Sequence, residues 1–227
     1  MRSLASCYNG GVNYYPIPAS VTRHETQVLN SRFIATLGPA FSVEEARAFI
    51  AAIRREFPDA THHVPAYIIG HGDSVISHCS DDGEPAGTAG RPAVAVLTGS
   101  GLGDVVVVVT RYFGGTKLGT GGLVRAYTEA VQQVVARSPR AVRLMTHVVR
   151  IIAPYSWYER LQLLIIAHHG VMMDQEFTAE VTLTARFPVE KYPAFGTALQ
   201  EASHGSLAAE ILSTEMAILP LSAQGEK

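Results

Sequence analysis

Hydrophobic positions change period several times along the chain, and each change marks an element. Val21 to Val28 and Arg32 to Leu37 read as strands, with Asn30-Ser31 as the turn of a hairpin. Ser42-Val43-Glu44-Glu45 then forms a capping box, in which Ser42 accepts from the Glu45 backbone N–H and the Glu45 carboxylate reaches back. A helix therefore starts at Val43. Ala46, Phe49, Ile50 and Ile53 follow at helical spacing, and Pro58 stops it. Ala60 to Ile69 and Ser74 to His78 read as strands joined by the turn Gly70-His71-Gly72-Asp73. Pro92 suits the first turn of a short helix through Leu97, while Val94-Ala95-Val96 fits a strand equally.

The unbroken apolar run inside Asp104 to Tyr112 predicts a strand covered on both faces. Leu123 to Ala136 predicts a long helix with Val124, Tyr127, Val131 and Val134 on one side. Ser138-Pro139-Arg140 reads as a linker. After it the predicted order is strand 143–152, helix 156–169, strand 171–176, strand 178–187, helix 189–203 and strand 206–213. That βαββαβ order is the ferredoxin-like pattern. Residues 1–20 carry no sustained period and read as a flexible leader, and residues 215–227 as a tail. The fold class is α+β, with one domain over 21–138 and a ferredoxin-like domain over 143–214.

Length agrees, because 227 residues exceed the usual single-domain size of roughly 100 to 150. With 47% hydrophobic and 17% charged residues the chain can bury two cores and lies far from disordered compositions. A net charge of −2 gives no overall attraction to nucleic acid or anionic membrane. Cys7 and Cys79 are too few for a disulfide framework, which fits a reducing, cytoplasmic location. Leu4-Ala5-Ser6-Cys7 resembles a lipoprotein cleavage box, but no apolar run of signal-peptide length precedes it.

Two loops carry the candidate chemistry. Ser80 to Gly90 places Asp81, Asp82 and Glu84 within four positions, among glycines that let backbone N–H groups point outward. Arg111 to Gly122 holds five glycines in nine positions between a buried strand and a helix, the geometry that sets free donors against an anion. Neither nucleotide fingerprint is present: Lys117 follows Thr116 rather than glycine, and Val124 stands where the third glycine of G-x-G-x-x-G belongs.

Together these residues resemble the YigZ/IMPACT family. The resemblance rests on Ser80-Asp81-Asp82-Gly83-Glu84-Pro85, Gly87-Thr88-Ala89-Gly90, Arg111-Tyr112-Phe113-Gly114-Gly115 and Leu118 to Tyr127, with Ser31-Arg32-Phe33-Ile34 and Ala60-Thr61-His62-His63 upstream. Where many relatives carry cysteine two positions after the first histidine, Val64 stands here. The resemblance implies an N-terminal domain like the second domain of the ribosomal-protein S-five fold and a C-terminal domain like the last domain of elongation factor G. It also implies a link to translation, since the eukaryotic branch is a translational regulator.

Plainer readings stand beside each of these. The carboxylates of the first loop can act as acid, base or metal ligands, or simply cap backbone N–H groups and pair with Arg91, Arg111 and Arg125. Four basic and four acidic residues cancel around the loops, and residues 144–213 hold four basic against seven acidic, so free phosphate backbone is not strongly drawn. His62, His63, His71 and His78 with Asp73 suggest a metal site, but adjacent strand residues face opposite ways, which favours packed or exposed histidines. Trp157 and Tyr158 can stack on bases or cover the core, and cover is the simpler role.

The expected function is a non-catalytic regulatory protein that binds translation machinery, RNA or an anionic ligand. Its expected binding residues are Arg32, His62, Asp81, Asp82, Glu84, Arg111, Tyr112, Gly114, Gly115, Lys117, Gly119, Gly121, Gly122 and Arg125. No cofactor and no metal are expected. The alternative is an enzyme for a phosphorylated or acyl substrate, with Asp82 or Glu84 as acid/base. A third reading takes the ferredoxin-like domain as an oligomerisation module.

Overall fold

The computed structural model describes residues 14–72 and 74–221. The chain divides into two compact units, the first running to Val142 and rejoined from Leu219, the second spanning Arg143–Ile218.

In the first unit, β2 (Thr22–Val28), β3 (Ser31–Pro39), β6 (Val105–Tyr112), β4 (His62–Ile69) and β5 (Ile76–Cys79) form one antiparallel sheet in the order β2-β3-β6-β4-β5. β6 lies at its centre, and Val105 to Val109 are fully buried because both faces are covered. Val105, Val107 and Val109 meet the side carrying α2 (Gly90–Ser100) and α3 (Gly119–Arg137), while Val106 packs with Tyr67 and with Ala46 of α1 (Val43–Glu56). Half of the capping box of α1 forms as predicted, since Ser42 accepts from Glu45 N–H, but the Glu45 carboxylate reaches one residue further back and accepts from Phe41 N–H rather than from Ser42 N–H.

In the second unit, β7 (Arg140–Ala153), α4 (Tyr158–Ala167), β8 (Val171–Phe177), β9 (Val181–Pro188), α5 (Tyr192–Ser203) and β10 (Ala209–Pro220) give sheet order β10-β7-β9-β8. This is the split-βαβ arrangement expected. Leu161 and Ile165 of α4 with Phe195 and Leu199 of α5 cover one sheet face, against Ile151, Leu183 and Phe187. Trp157 and Tyr158 pack against this core, the plainer of their two predicted roles.

Several boundaries differ from the sequence reading. Residues 1–13, which include Leu4 to Cys7, lie outside the described residues. Of the leader beyond them, β1 (Ile17–Pro18) pairs with Ala141 and Arg140 at the start of β7, because Ile17 is apolar and fully buried. Ser138 is buried and Arg140 already lies in β7, so Ser138-Pro139-Arg140 is part of the first unit rather than a linker. β10 runs to Pro220, past the predicted tail boundary, and ends on buried Ala217 and Leu219. The ambiguous 92–97 segment is a helix. α3 starts four residues before its first apolar position, in a first turn of glycine and threonine that carries no apolar period. Its buried stripe is Leu123, Ala126, Tyr127, Ala130, Val131 and Val134, leaving Val124 partly exposed.

Candidate functional site

The two signature loops meet on a buried ion pair. Arg111, near the end of central strand β6, is 5% exposed, and its Nη1 donates to Glu84 Oε1 at 2.5 Å. Tyr127 of α3 donates its hydroxyl to the same oxygen at 2.7 Å. Glu84 itself is 8% exposed. Arg111 also lies over the rings of Phe33 and Phe113, at 5.4 and 5.5 Å, so its flat charge is sandwiched as well as paired. Burial, the bond to Glu84 and that residue's charge push the Tyr127 hydroxyl far above the ordinary tyrosine range.

The other two acids are also committed. Asp81 Oδ1 accepts from Ala89 and Gly90 N–H, and Oδ2 from Gly87 N–H. Its carboxylate therefore occupies the amino terminus of α2, whose own cap residue, Ala89, has no side-chain acceptor. Burial acts to raise the Asp81 carboxyl, but these three donors and nearby Arg91 outweigh it and hold it below the usual aspartate range. Asp82, at a positive φ of 46°, accepts from Arg54 Nη2 at 2.5 Å and from His63 N–H at 2.7 Å. His62 Nδ1 lies 2.8 Å from the Asp82 carbonyl, which can only accept, so Nδ1 carries the proton. His62 Nε2 is 3.9 Å from Glu84 Oε2.

These contacts redistribute the roles expected from sequence. The hydrogen-bond partners of the acids are Arg54, Arg111, Tyr127 and backbone N–H groups, with Arg91 acting on Asp81 through its charge. Arg111 points inward rather than toward solvent. Arg32 forks onto Glu25 at 2.9 and 3.0 Å and lies over the Tyr112 ring, whose hydroxyl bonds Asp59. Gly114 does not offer a free donor, because its N–H reaches Ser31 Oγ at 3.2 Å. Gly115, Lys117, Gly119, Gly121 and Arg125 are exposed and Gly122 partly so, along the loop and first turn of α3, with Phe113 45% exposed beside them. Ser31, Arg54 and Tyr127 are the site residues missed. Tyr127 left a signal, since a tyrosine on a buried helix face needs a partner for its hydroxyl.

His63 Nε2 bonds the Phe57 carbonyl, so the neighbouring histidines do face different groups. Asp73 lies outside the described residues, and among those described no group of three or more histidine, cysteine or acidic side chains is placed to hold a metal. Among the same residues no helix is long and apolar enough to cross a membrane.

The fold and this paired-loop site define a two-domain α+β protein whose residues 29–135 match the Impact N-terminal domain and whose residues 151–206 match a domain of unknown function, DUF1949. The chain belongs to the IMPACT family. It is 38% identical over 199 residues to an IMPACT family member of Haemophilus influenzae, covering 87% of this chain and 97% of that one. It is 39% identical over 194 residues to the IMPACT family member YigZ of Escherichia coli, covering 84% and 94%. A crystal structure described as an hypothetical protein aligns with TM-score 0.57 and 36% identity, over 88% of this chain and 98% of that one.

Proposed function

We propose that the chain is a non-catalytic regulatory protein of the IMPACT type, acting in the cytoplasm, that binds translation machinery or RNA through the exposed segment from Phe113 to Arg125. One observation supports this reading: all three carboxylates of the acidic loop are engaged by the chain's own donors, and Glu84 holds Arg111 and Tyr127, which lie on either side of that segment in the sequence. A general base needs a lone pair free to reach a substrate proton. Glu84 is buried and its Oε1 accepts from two donors, Asp81 accepts from three backbone N–H groups, and Asp82 accepts from an arginine and a backbone N–H. The acid/base alternative therefore has little support from the arrangement. Through Glu84 the loop instead braces the ends of a segment bearing exposed Phe113, Lys117 and Arg125, an aromatic and two cations suited to stacking and charge-assisted contacts. The translation link rests on the family resemblance of the signature residues.

The test uses exposed positions, because replacing buried Arg111 would disrupt the fold. Capture of ribosomal particles or RNA from a lysate by the wild-type chain is compared with Phe113→Ala and with Lys117→Glu plus Arg125→Glu. Each variant is expected to lose about tenfold or more in capture, the cost of a few rim contacts at roughly 0.5 to 1 kcal/mol each. Undiminished capture by both would reject the assignment of this surface.

A further inference from the structure

α2 and α3 pack side by side over the first sheet and leave an open groove of about 660 Å³ between their outer surfaces. Pro92 and Val124 line one end, and Ser100, Ala136 and Arg140 the other, where Arg140 Nη2 reaches the Ser100 carbonyl at 3.4 Å. The α3 wall runs twelve residues from Val124 to Ala136, about 18 Å. Val96 and Val135, which pack against the core beneath, make the floor apolar. Gly99 also lines the groove, and a Cβ there would meet nothing within 4 Å. The fold therefore does not require that glycine, although glycine weakens a helix relative to alanine. Bare backbone on an open groove suits close approach by another chain.

The charge around the groove is one-sided. α2, α3 and the first residue of β7 carry Arg91, Arg125, Arg137 and Arg140 against the single acid Glu129. None of the four arginines is in an ion pair among the described residues, whereas Arg23, Arg32, Arg54, Arg111, Arg150 and Arg186 all are. Arg137 is held by Gln133 of its own helix, and the Asp81 carboxylate near Arg91 is engaged by three backbone N–H groups. Arg91 adjoins Pro92 and Arg125 adjoins Val124 in sequence, so cations stand at one end of the groove while Arg140 lines the other. We propose that this groove docks an acidic amphipathic helix of a partner protein, about 14 residues long. Its apolar stripe lies on Val96, Val124 and Val135, and its carboxylates meet the arginines at the two ends. Both walls are helices whose backbone groups are already bonded, so the occupant must satisfy its own, which a helix does and a single strand does not. The groove needs neither Phe113 nor Lys117, so this inference stands or falls apart from the surface proposed above.

Selection of displayed helical peptides of about 14 residues on the full chain tests the proposal, with apolar residues fixed at three- and four-residue spacing and the other positions drawn from glutamate, lysine, glutamine and alanine. The retained sequences are expected to be net acidic. One of them, made synthetically, should shift the amide NMR signals of Val96, Gly99, Val124 and Val135. Gly99→Leu fills the groove from an exposed position with a better helix former, so it should keep the fold and weaken binding about tenfold or more. Arg140→Gln should weaken it about threefold, and Phe113→Ala should leave it unchanged. Retention of no sequence, or of neutral or basic ones, would overturn the proposal. Signal shifts confined to other residues, binding indifferent to Gly99→Leu, or binding lost in Phe113→Ala would do the same. A uridine oligonucleotide that shifts the groove amides more strongly than the peptide would assign the groove to RNA and overturn it as well.

Discussion

At the scale of single residues, the centre of the site is a carboxylate taken out of water and surrounded by donors. Removing one partner of such a pair costs more than the pair contributes, because the other charge is left buried. The Tyr127 hydroxyl shares that environment and gives it a pH signature. Its folded pKa is raised, so its contribution is fully present below the unfolded value of about 10 and is lost as pH rises toward the folded value. Between about pH 10 and 12, urea midpoints should show this residue removing stability at up to about 1.4 kcal/mol per pH unit. Tyr127→Phe should abolish that component while the other tyrosines keep theirs, and an unchanged alkaline slope in the variant would contradict it. From sequence, Glu84 with Arg111 was readable as one of several pairings. Its burial was not, because 27 positions separate the two residues and only the placement of β6 beneath the acidic loop brings them together.

At the scale of elements, helix ends explain both what was legible and what was not. The α1 cap is a local code: Ser42 accepts from Glu45 N–H as read, with the returning carboxylate displaced by one residue onto Phe41 N–H. The α2 amino terminus is capped from nine residues upstream by Asp81, which no local pattern announces. The reading that these carboxylates cap backbone N–H groups fits this contact, but which acid caps which helix was not legible. The signature glycines likewise divide into two kinds. A Cβ at Gly114 would lie 2.0 Å from the Asn30 backbone, whereas one at Gly121 meets nothing within 4 Å. Gly114→Ala is therefore expected to cost about 3 kcal/mol through forced displacement of the β2-β3 turn. Gly121→Ala, in a helical turn without positive φ, should stabilise by about 0.5 to 1 kcal/mol. Chemical denaturation measures both, and equal effects would show that the two glycines do not differ as described. If a partner reads the bare backbone at Gly121, its capture should fall even as stability rises.

At the scale of the whole molecule, element order was the most legible feature, since a βαββαβ series with short turns leaves few ways to build one sheet. The ends were the least legible. Ile17, Leu219 and Leu221 join the first unit through contacts with Arg140 and its neighbours, and such short additions carry no period. Each unit has its own buried cluster, so calorimetry should resolve two thermal transitions. Phe187→Ala should lower only one of them, and a single transition moving as a whole would contradict separate cores. The Arg111, Glu84 and Tyr127 contact has a consequence for descent as well as for stability. It ties a strand end, a loop and a helix that are far apart in the gene, and losing any one of the three strands the other two. A chimera that takes one of these segments from a protein lacking the matching residue should therefore be insoluble unless the other two segments are taken with it.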